Sequence, residues 1–275
     1  MTALRLTLQA QPDQRLDLSP LTPDRLAGLD VAAIQALPLH TTRHRVTVGD
    51  IFHVHHGDPA EIVIEGGSER FDRVGEAMRT GTLTVQGDVG QQAGRLLAGG
   101  TLLIQGNTGG WAASGQRGGT LEIAGSTGPF LGGPLSGERT GMRGGIVVVR
   151  GNAGERAADR LRRGFVIIEG DAGPYAGSGM FAGTLIVCGG AGALPGILMR
   201  RGTIVLGKPA DLAPTFIAAG HVELVFTTLL ARAAAPFSAK AAACVQAAGT
   251  RYAGDTAVLG KGELFVAGDA KSLKN

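Results

Sequence analysis

The side chains best able to do chemistry in this sequence are few and far apart. His53-Val54-His55-His56 spaces two imidazoles two residues apart. On a strand that spacing turns both to one face, an arrangement metallohydrolases use. A metal site would need a further ligand and a base from elsewhere, and the other histidines are His40, His44 and His221. The expectation is a structural or interface role, with no metal ligand assigned. Serines sit among glycines in GSTG (125–128) and GSGMF (177–181). Neither is the G-x-S-x-G elbow of a strand-turn-helix nucleophile, so no catalytic residue is assigned. Cys188 and Cys244 are isolated and form no CxxC pair, which argues against a disulfide framework or a structural zinc. Cys188 is expected to pack at an interface.

The arginines are the better candidates. Arg143, Arg162, Arg163, Arg200 and Arg201 fall just before successive apolar runs, and Arg79 and Arg117 hold similar places earlier. Stacked on one another, such positions make a basic stripe. It would either be a solvated corner or a track for an acidic partner or a polyanionic substrate tail. Aromatic residues make up only 4% and do not interleave with the arginines, so no nucleic-acid partner is expected.

What must position these residues is a repeat. GTLTVQGDVG (81–90), GTLLIQGNTG (100–109), GTLEIAGSTG (119–128), GIVVVRGNAG (145–154), GFVIIEGDAG (164–173) and GTLIVCGGAG (183–192) share one pattern. GTIVLGK (202–208) closes the series, and EIVIEGG (61–67) is expected to open it. The leading glycines are 19, 19, 26, 19, 19 and 19 residues apart, the 26 being a seven-residue insertion around Pro129 to Thr140. Each unit carries one alternating strand with an aliphatic pair on one face, from Leu83/Val85 to Ile204/Leu206. Two apolar residues cannot bury themselves alone, but a stack of such faces forms a continuous core.

The expected fold is therefore all-β: a parallel β-helix, or solenoid, with coils of about 19 residues and small caps at both ends. The strand-ending glycines Gly87, Gly106, Gly125, Gly151, Gly170 and Gly189 are expected at sharp turns, often with positive φ. Asp88, Asn107, Ser126, Asn152 and Asp171 follow them and are expected to hydrogen-bond turn backbone or stack as ladders, not to catalyse. The middle outward position reads Thr84, Leu103, Glu122, then Val148, Ile167, Ile186, Val205. Its apolar half needs cover, from the C-terminal segment or from another subunit.

The division expected is 1–60 as an N-terminal cap, 61–208 as the repeat and 209–275 as a C-terminal extension. In the first, 4–8 alternates like a strand, Thr22-Pro23 starts a helix, Asp30 caps a second through Ala36, and 46–50 suits an edge strand or an irregular first coil. In the last, 223–235 suits a strand followed by a helix, and Lys240 to Ala248 a helix ending at Gly249. GELFVAGD (262–269) suits a last coil or a pairing elsewhere. The 46 glycines answer to dense turns; with 44% hydrophobic residues and mean hydropathy +0.15 the chain is not disordered, and period three is absent, so it is not collagen. The start, MTALRLTLQAQPDQ, has no apolar h-region and no run of about 18 apolar residues exists, so neither a secretory signal nor a membrane span is expected, and a cytoplasmic location is.

The Gly-Thr-Leu-x-Val-x-Gly-Asp-x-Gly units resemble the Gly-repeat β-helix shared by the C-terminal domain of the glutamate synthase large subunit and the C component of formylmethanofuran dehydrogenase, over roughly 60–208. Length and flanks look more like the C component, which is a free-standing chain. The resemblance implies a right-handed β-helix acting as a non-catalytic scaffold, with no cofactor of its own. Methanofuran-type coenzyme and metal ions would sit in partner subunits: amidohydrolase-like, formyltransferase-like and dehydrogenase-related. Two assemblies use such a scaffold. One is a tungsten or molybdenum formylmethanofuran dehydrogenase. The other is a bacterial formyltransferase/hydrolase complex that takes formyl-tetrahydromethanopterin to formate through a formyl-methanofuran analogue. Twenty-one Arg against five Lys suits a GC-rich bacterium and favours the second. That analogue carries a polyglutamate chain, which would suit the arginine stripe. A stand-alone β-helix enzyme acting on polysaccharide and a glutamate-synthase-type spacer are the competing readings. The coils carry one Trp (Trp111), one Tyr (Tyr175) and no dense acidic cluster to line a sugar groove.

Overall fold

The computed structural model describes residues 2–221 and 225–267. In chain order its elements are β1 (Ala3–Leu8), β2 (Leu16–Asp17), α1 (Pro23–Leu26), α2 (Val31–Gln35), β3 (Pro38–Thr41), β4 (Val46–Thr47), α3 (Val48–Ile51), β5 (Phe52–His55), β6 (Asp58–Glu65) and β7 (Phe71–Asp72). There follow β8 (Thr82–Gln86), β9 (Thr101–Ile104), β10 (Thr120–Ile123), β11 (Arg143–Val149), β12 (Arg163–Ile168), β13 (Thr184–Val187) and β14 (Arg201–Leu206). The chain closes with β15 (Ile217–His221), α4 (Val225–Ala234), α5 (Ala239–Gln246), β16 (Ala248–Gly254) and β17 (Lys261–Ala267).

One 13-stranded sheet runs β15-β16-β17-β14-β13-β12-β11-β10-β9-β8-β6-β1-β5. From β1 to β17 neighbours pair in parallel; antiparallel strands stand at the ends, β5 on β1 and β16 then β15 beyond β17. Register aligns the inward residues in two rows. One runs Leu83, Leu102, Leu121, Val147, Val166, Leu185, Ile204, and the other Val85, Ile104, Ile123, Val149, Ile168, Val187, Leu206. All are buried. A buried side chain of this size contributes about 1.5–3 kcal/mol. A second parallel ladder of single bridges links Ser68, Val89, Thr108, Thr127, Ala153, Ala172 and Ala191. The chain thus returns to the same two ladders once per repeat, an arrangement consistent with a β-helix-like solenoid. A smaller sheet, β4-β3-β2-β7, lies in the N-terminal part.

A third stacked line has no composition signal. Arg73, Gln92, Trp111, Phe130, Arg156, Tyr175 and Leu194 all adopt φ between +55° and +62°. Each costs roughly 1–2 kcal/mol for an L-residue. The offset is visible: each donates its backbone N–H to the next coil, as Trp111 does to the Pro129 carbonyl at 2.9 Å and Tyr175 to Ala193 at 2.8 Å. The strand-ending glycines correct the expectation made for them. Apart from Gly87, they have no positive φ; a Cβ at Gly170 would meet Asn152 Oδ1 of the coil below at 2.2 Å. It is the leading glycines that carry positive φ, such as Gly145 at +85°.

The flanks divide. Pro23 opens α1, but Thr22 makes no side-chain cap, whereas Asp30 does cap α2 by accepting from Ala33 N at 2.7 Å. Residues 46–50 form an edge strand over β4 alone, at the rim of the smaller sheet, and no coil. β4 pairs with β3, and a Thr47/Asp50 capping box turns the chain into α3. β1 adds to the stack beside β6. Beyond the repeat, β15 precedes α4, and residues 223 and 224 of the expected 223–235 segment lie outside the described residues. The α5 helix ends at Gln246, because Ala248 and Gly249 already belong to β16. β17 continues the stack on β14; residues 268 and 269 lie outside the described residues. The outward apolar column is covered by the C-terminal segment. Val148, Ile167, Ile186, Val205 and Phe265 form a second core with Leu230, Ala231 and Ala234 of α4 and Ala241, Ala242 and Val245 of α5. Among the described residues no helix is long and apolar enough to cross a membrane.

Candidate functional site

The backbone positions of the arginines align, with Phe181 between Arg162 and Arg200. Backbone hydrogen bonds carry one column through Ala98, Arg117, Arg143, Arg162, Phe181 and Arg200, each donating its N–H to the coil before it at 2.6–2.9 Å. Beside that column, strand register sets Arg143 against Arg163 and Arg201 against Lys261. Arg143, Arg162, Arg163, Arg200 and Arg201 are all exposed. Arg200 lies over the Phe181 ring at 5.0 Å, and Arg143 Nε donates to Thr140 Oγ1 at 3.2 Å. Adjacent coils are about 4.8 Å apart, so neighbouring arginine charges such as Arg143 and Arg162 repel only weakly in full water. Solvation tolerates that, and an anion laid along the column would relieve it.

The other candidates resolve differently. His53, His55 and His56 are exposed on or just past β5, the edge strand at one end of the sheet. Among the described residues no group of three or more His, Cys, Asp or Glu is placed to hold a metal. Asp88, Asn107, Ser126, Asn152 and Asp171 form a ladder along the turns. The side chain of each accepts from the backbone N–H of its counterpart one coil on, from Asp88 to Asn107 N at 2.6 Å up to Asp171 to Gly190 N at 2.6 Å. Ser126 is a rung of that ladder. Ser178 is buried and donates to Asp159 Oδ1 at 2.5 Å.

The two cysteines, expected to be isolated, are brought together. Both border the second core, and Cys244 Sγ of α5 lies 3.8 Å from the carbonyl of Val187, the neighbour of Cys188. Hydrogen bonding between the thiols, together with burial, pushes the Cys188 thiol up, while the same bond outweighs burial at Cys244 and lowers it. The sequence alone does not single out Arg156 and Arg160, which with Tyr175 line a groove beside the arginine column. The coil period is the signal that finds them: Arg156 and Tyr175, like Asp159 and Ser178, are one coil of 19 residues apart.

No protein-family profile matches the chain. The C component of the formyltransferase/hydrolase complex Fhc of Methylorubrum extorquens is 42% identical over 87 residues, which is 32% of this chain and 33% of that protein. The C component of the tungsten-containing formylmethanofuran dehydrogenase 2 of Methanothermobacter wolfeii is 33% identical over 100 residues, 34% of this chain and 37% of that protein. These sequence matches span about a third of the curated relatives' length. Structure extends the likeness. One chain in the crystal structure of the Methylorubrum extorquens formyltransferase/hydrolase complex FhcABCD with methylofuran superposes with a TM-score of 0.91 at 40% identity, covering 96% of this chain and 100% of that one.

Proposed function

The chain belongs to the family formed by the C components of the formyltransferase/hydrolase and formylmethanofuran dehydrogenase complexes, and from that premise we propose that it is the non-catalytic scaffold subunit of a formyltransferase/hydrolase complex. That complex would convert formyl-tetrahydromethanopterin to formate through a formyl-methanofuran analogue in cytoplasmic one-carbon metabolism. The observation that carries this reading is the structural match, which runs the full length of the relative's chain at 40% identity. The scaffold is a right-handed parallel β-helix over 61–208, capped by 1–60 and extended by 209–275. The once-per-repeat parallel ladders support the coil, and the helical hairpin seated on its outer face supports a distinct C-terminal unit.

In this reading the chemistry lies in amidohydrolase-like and formyltransferase-like neighbours, which hold the metal ions and the methanofuran-type coenzyme. This chain binds no cofactor and supplies rigid surfaces. The stripe of Arg143, Arg162, Arg163, Arg200 and Arg201 faces an acidic partner surface or a polyanionic tail such as polyglutamate. Arginine suits this task because its planar fork grips carboxylates in pairs. A mild affinity pull-down of the full chain from its native host, followed by mass spectrometry, tests the proposal. Recovery of amidohydrolase-like and formyltransferase-like subunits is expected. Recovery of tungsten- or molybdenum-enzyme subunits would move the chain to the dehydrogenase, and a lone monodisperse monomer would overturn the subunit role.

A further inference from the structure

Where the last coils of the repeat turn their left-handed corner, a groove of about 430 Å³ opens beside the arginine column. Three guanidiniums line it: Arg156, Arg160 and Arg200. Two lie over rings, Arg156 at 5.2 Å from the Tyr175 centroid and Arg200 at 5.0 Å from that of Phe181. A cation over a ring face is attracted by the ring quadrupole and still has N–H groups to offer a ligand. Among the described residues Asp159 is the one carboxylate in the lining, and its side chain is only 5% exposed. It accepts from Ser178 Oγ at 2.5 Å, and its oxygens lie 3.3 Å from Arg160 Nε and 3.7 Å from Arg156 Nη1. Three positive charges against one negative leave the groove a formal surplus of two.

The wall beyond the arginines is apolar. Leu198 is 51% exposed and Val258 38%. Both are fixed in place: Asp255 accepts from Leu198 N and Ala257 N, each at 2.8 Å, and Thr256 Oγ1 donates to the Thr215 carbonyl at 2.8 Å. A surface already ordered gives up little entropy when it binds.

We propose that this groove docks a segment of a partner protein that carries two carboxylate side chains next to a large apolar one. Charge complementarity names the carboxylates, and the Leu198–Val258 wall names the apolar neighbour. Arginine and tyrosine are enriched among interface hot spots. The ring faces are already covered by guanidiniums, so they offer no platform for nucleic-acid bases. The inference rests on the proposed subunit role, because the partner is another chain of that assembly.

The test uses the whole complex in its native host. A benzophenone amino acid replaces Leu198, the purified assembly is irradiated, and the cross-linked peptide is sequenced. The expected peptide comes from a co-purifying subunit and bears two Asp or Glu beside an apolar residue. Combining the probe with Arg156→Gln and Arg160→Gln should lower the cross-link yield by about thirtyfold or more, the loss that accompanies removal of hot-spot arginines. Val258→Ser should lower it by about tenfold by weakening the apolar contact. Thermal unfolding of each variant shows that the fold is kept. A cross-link to a second copy of this chain, to a basic or neutral segment, or to no protein while the subunits still co-purify overturns the groove proposal alone. So does a yield unmoved by the arginine pair. Failure of the unmodified chain to bring down any subunit would overturn the assembly reading, and the groove proposal with it.

Discussion

The two halves of the stack share an inner face and differ on the outer one. From β8 to β10 the middle outward residues are Thr84, Leu103 and Glu122, none of them fully buried. From β11 to β14 they are Val148, Ile167, Ile186 and Val205, each at most 1% exposed beneath α4 and α5. Register runs through unchanged, since Glu122 is the strand partner of Val148. A single position in a repeat thus decides whether a coil faces water or a helical hairpin, while its inward neighbours decide only that it is a coil. Arg150 marks the border. It bridges Glu122 at 2.7 Å and Glu169 at 2.5 Å, and Glu169 accepts from Ser238 Oγ, the N-cap of α5, at 2.6 Å.

Substitution can break this contrast. Ile167→Asp places an unpaired charge under the hairpin and should cost about 3–5 kcal/mol. Leu103→Asp, at the same position in an earlier coil, should cost about 1 kcal/mol or less. Denaturant unfolding of the pair measures both, and equal costs would erase the distinction. The inner face predicts the opposite symmetry. Ile104→Ala and Ile168→Ala should each cost about 2–5 kcal/mol, and by similar amounts, because both leave cavities in one continuous core.

Smaller effects sharpen it. Asn107→Ala and Asn152→Ala each remove one rung of the turn ladder and should cost about 1 kcal/mol, alike in the two halves. Acid should loosen particular tethers. Burial pushes the Glu138 carboxyl up, but hydrogen bonds from Arg95 and the Leu135 N–H, with nearby arginine charge, bring it below its ordinary value. Asp255 is likewise lowered, its hydrogen bonds outweighing burial. A folded pKa below the unfolded one contributes stability above the unfolded value, about 4, and that contribution is lost as pH falls through the folded value. Hydrogen exchange near 135–142 and 255–260 should therefore quicken below about pH 4 while the coil strands stay protected. The smallest effect on stability belongs to the arginines. Arg162→Gln with Arg163→Gln, like Arg79→Gln with Arg117→Gln, should change stability by less than about 0.5 kcal/mol. Only the first pair should reduce the salt-sensitive part of complex formation, read by co-purification across a salt series.

Much of the coil was legible because its signals are local. Alternation named the inward pairs, the period named the stacking, and the polar residue after each strand glycine named the ladder. An outward run of Val148, Ile167, Ile186 and Val205 said that something must cover it, without saying which segment. Contacts between coils were not legible. Trp111, Phe130 and Tyr175 hold left-handed backbone that no propensity favours, because hydrogen bonds to the next coil outweigh the local cost. The strand glycines are glycine because another coil's atoms occupy the place of a Cβ, and the strand begun at Val46 stops at Thr47, where a capping box with Asp50 starts α3. The arginine column was readable from spacing, whereas the groove beside it depends on rings and a buried Asp159 that meet only once the coils stack.

The seven extra residues between β10 and β11 leave the ladder on either side in register. Glu138 ties the excursion back to Arg95 at 2.9 Å, while Ser136 and Gly137 are exposed, and a Cβ at Gly137 would touch nothing within 4 Å. Natural length variation has thus already been absorbed at this corner without disturbing the core. A fluorophore or affinity tag grafted between Ser136 and Gly137 would ride on the outside of the stack, a fixed reporter for following how the chain meets its neighbours.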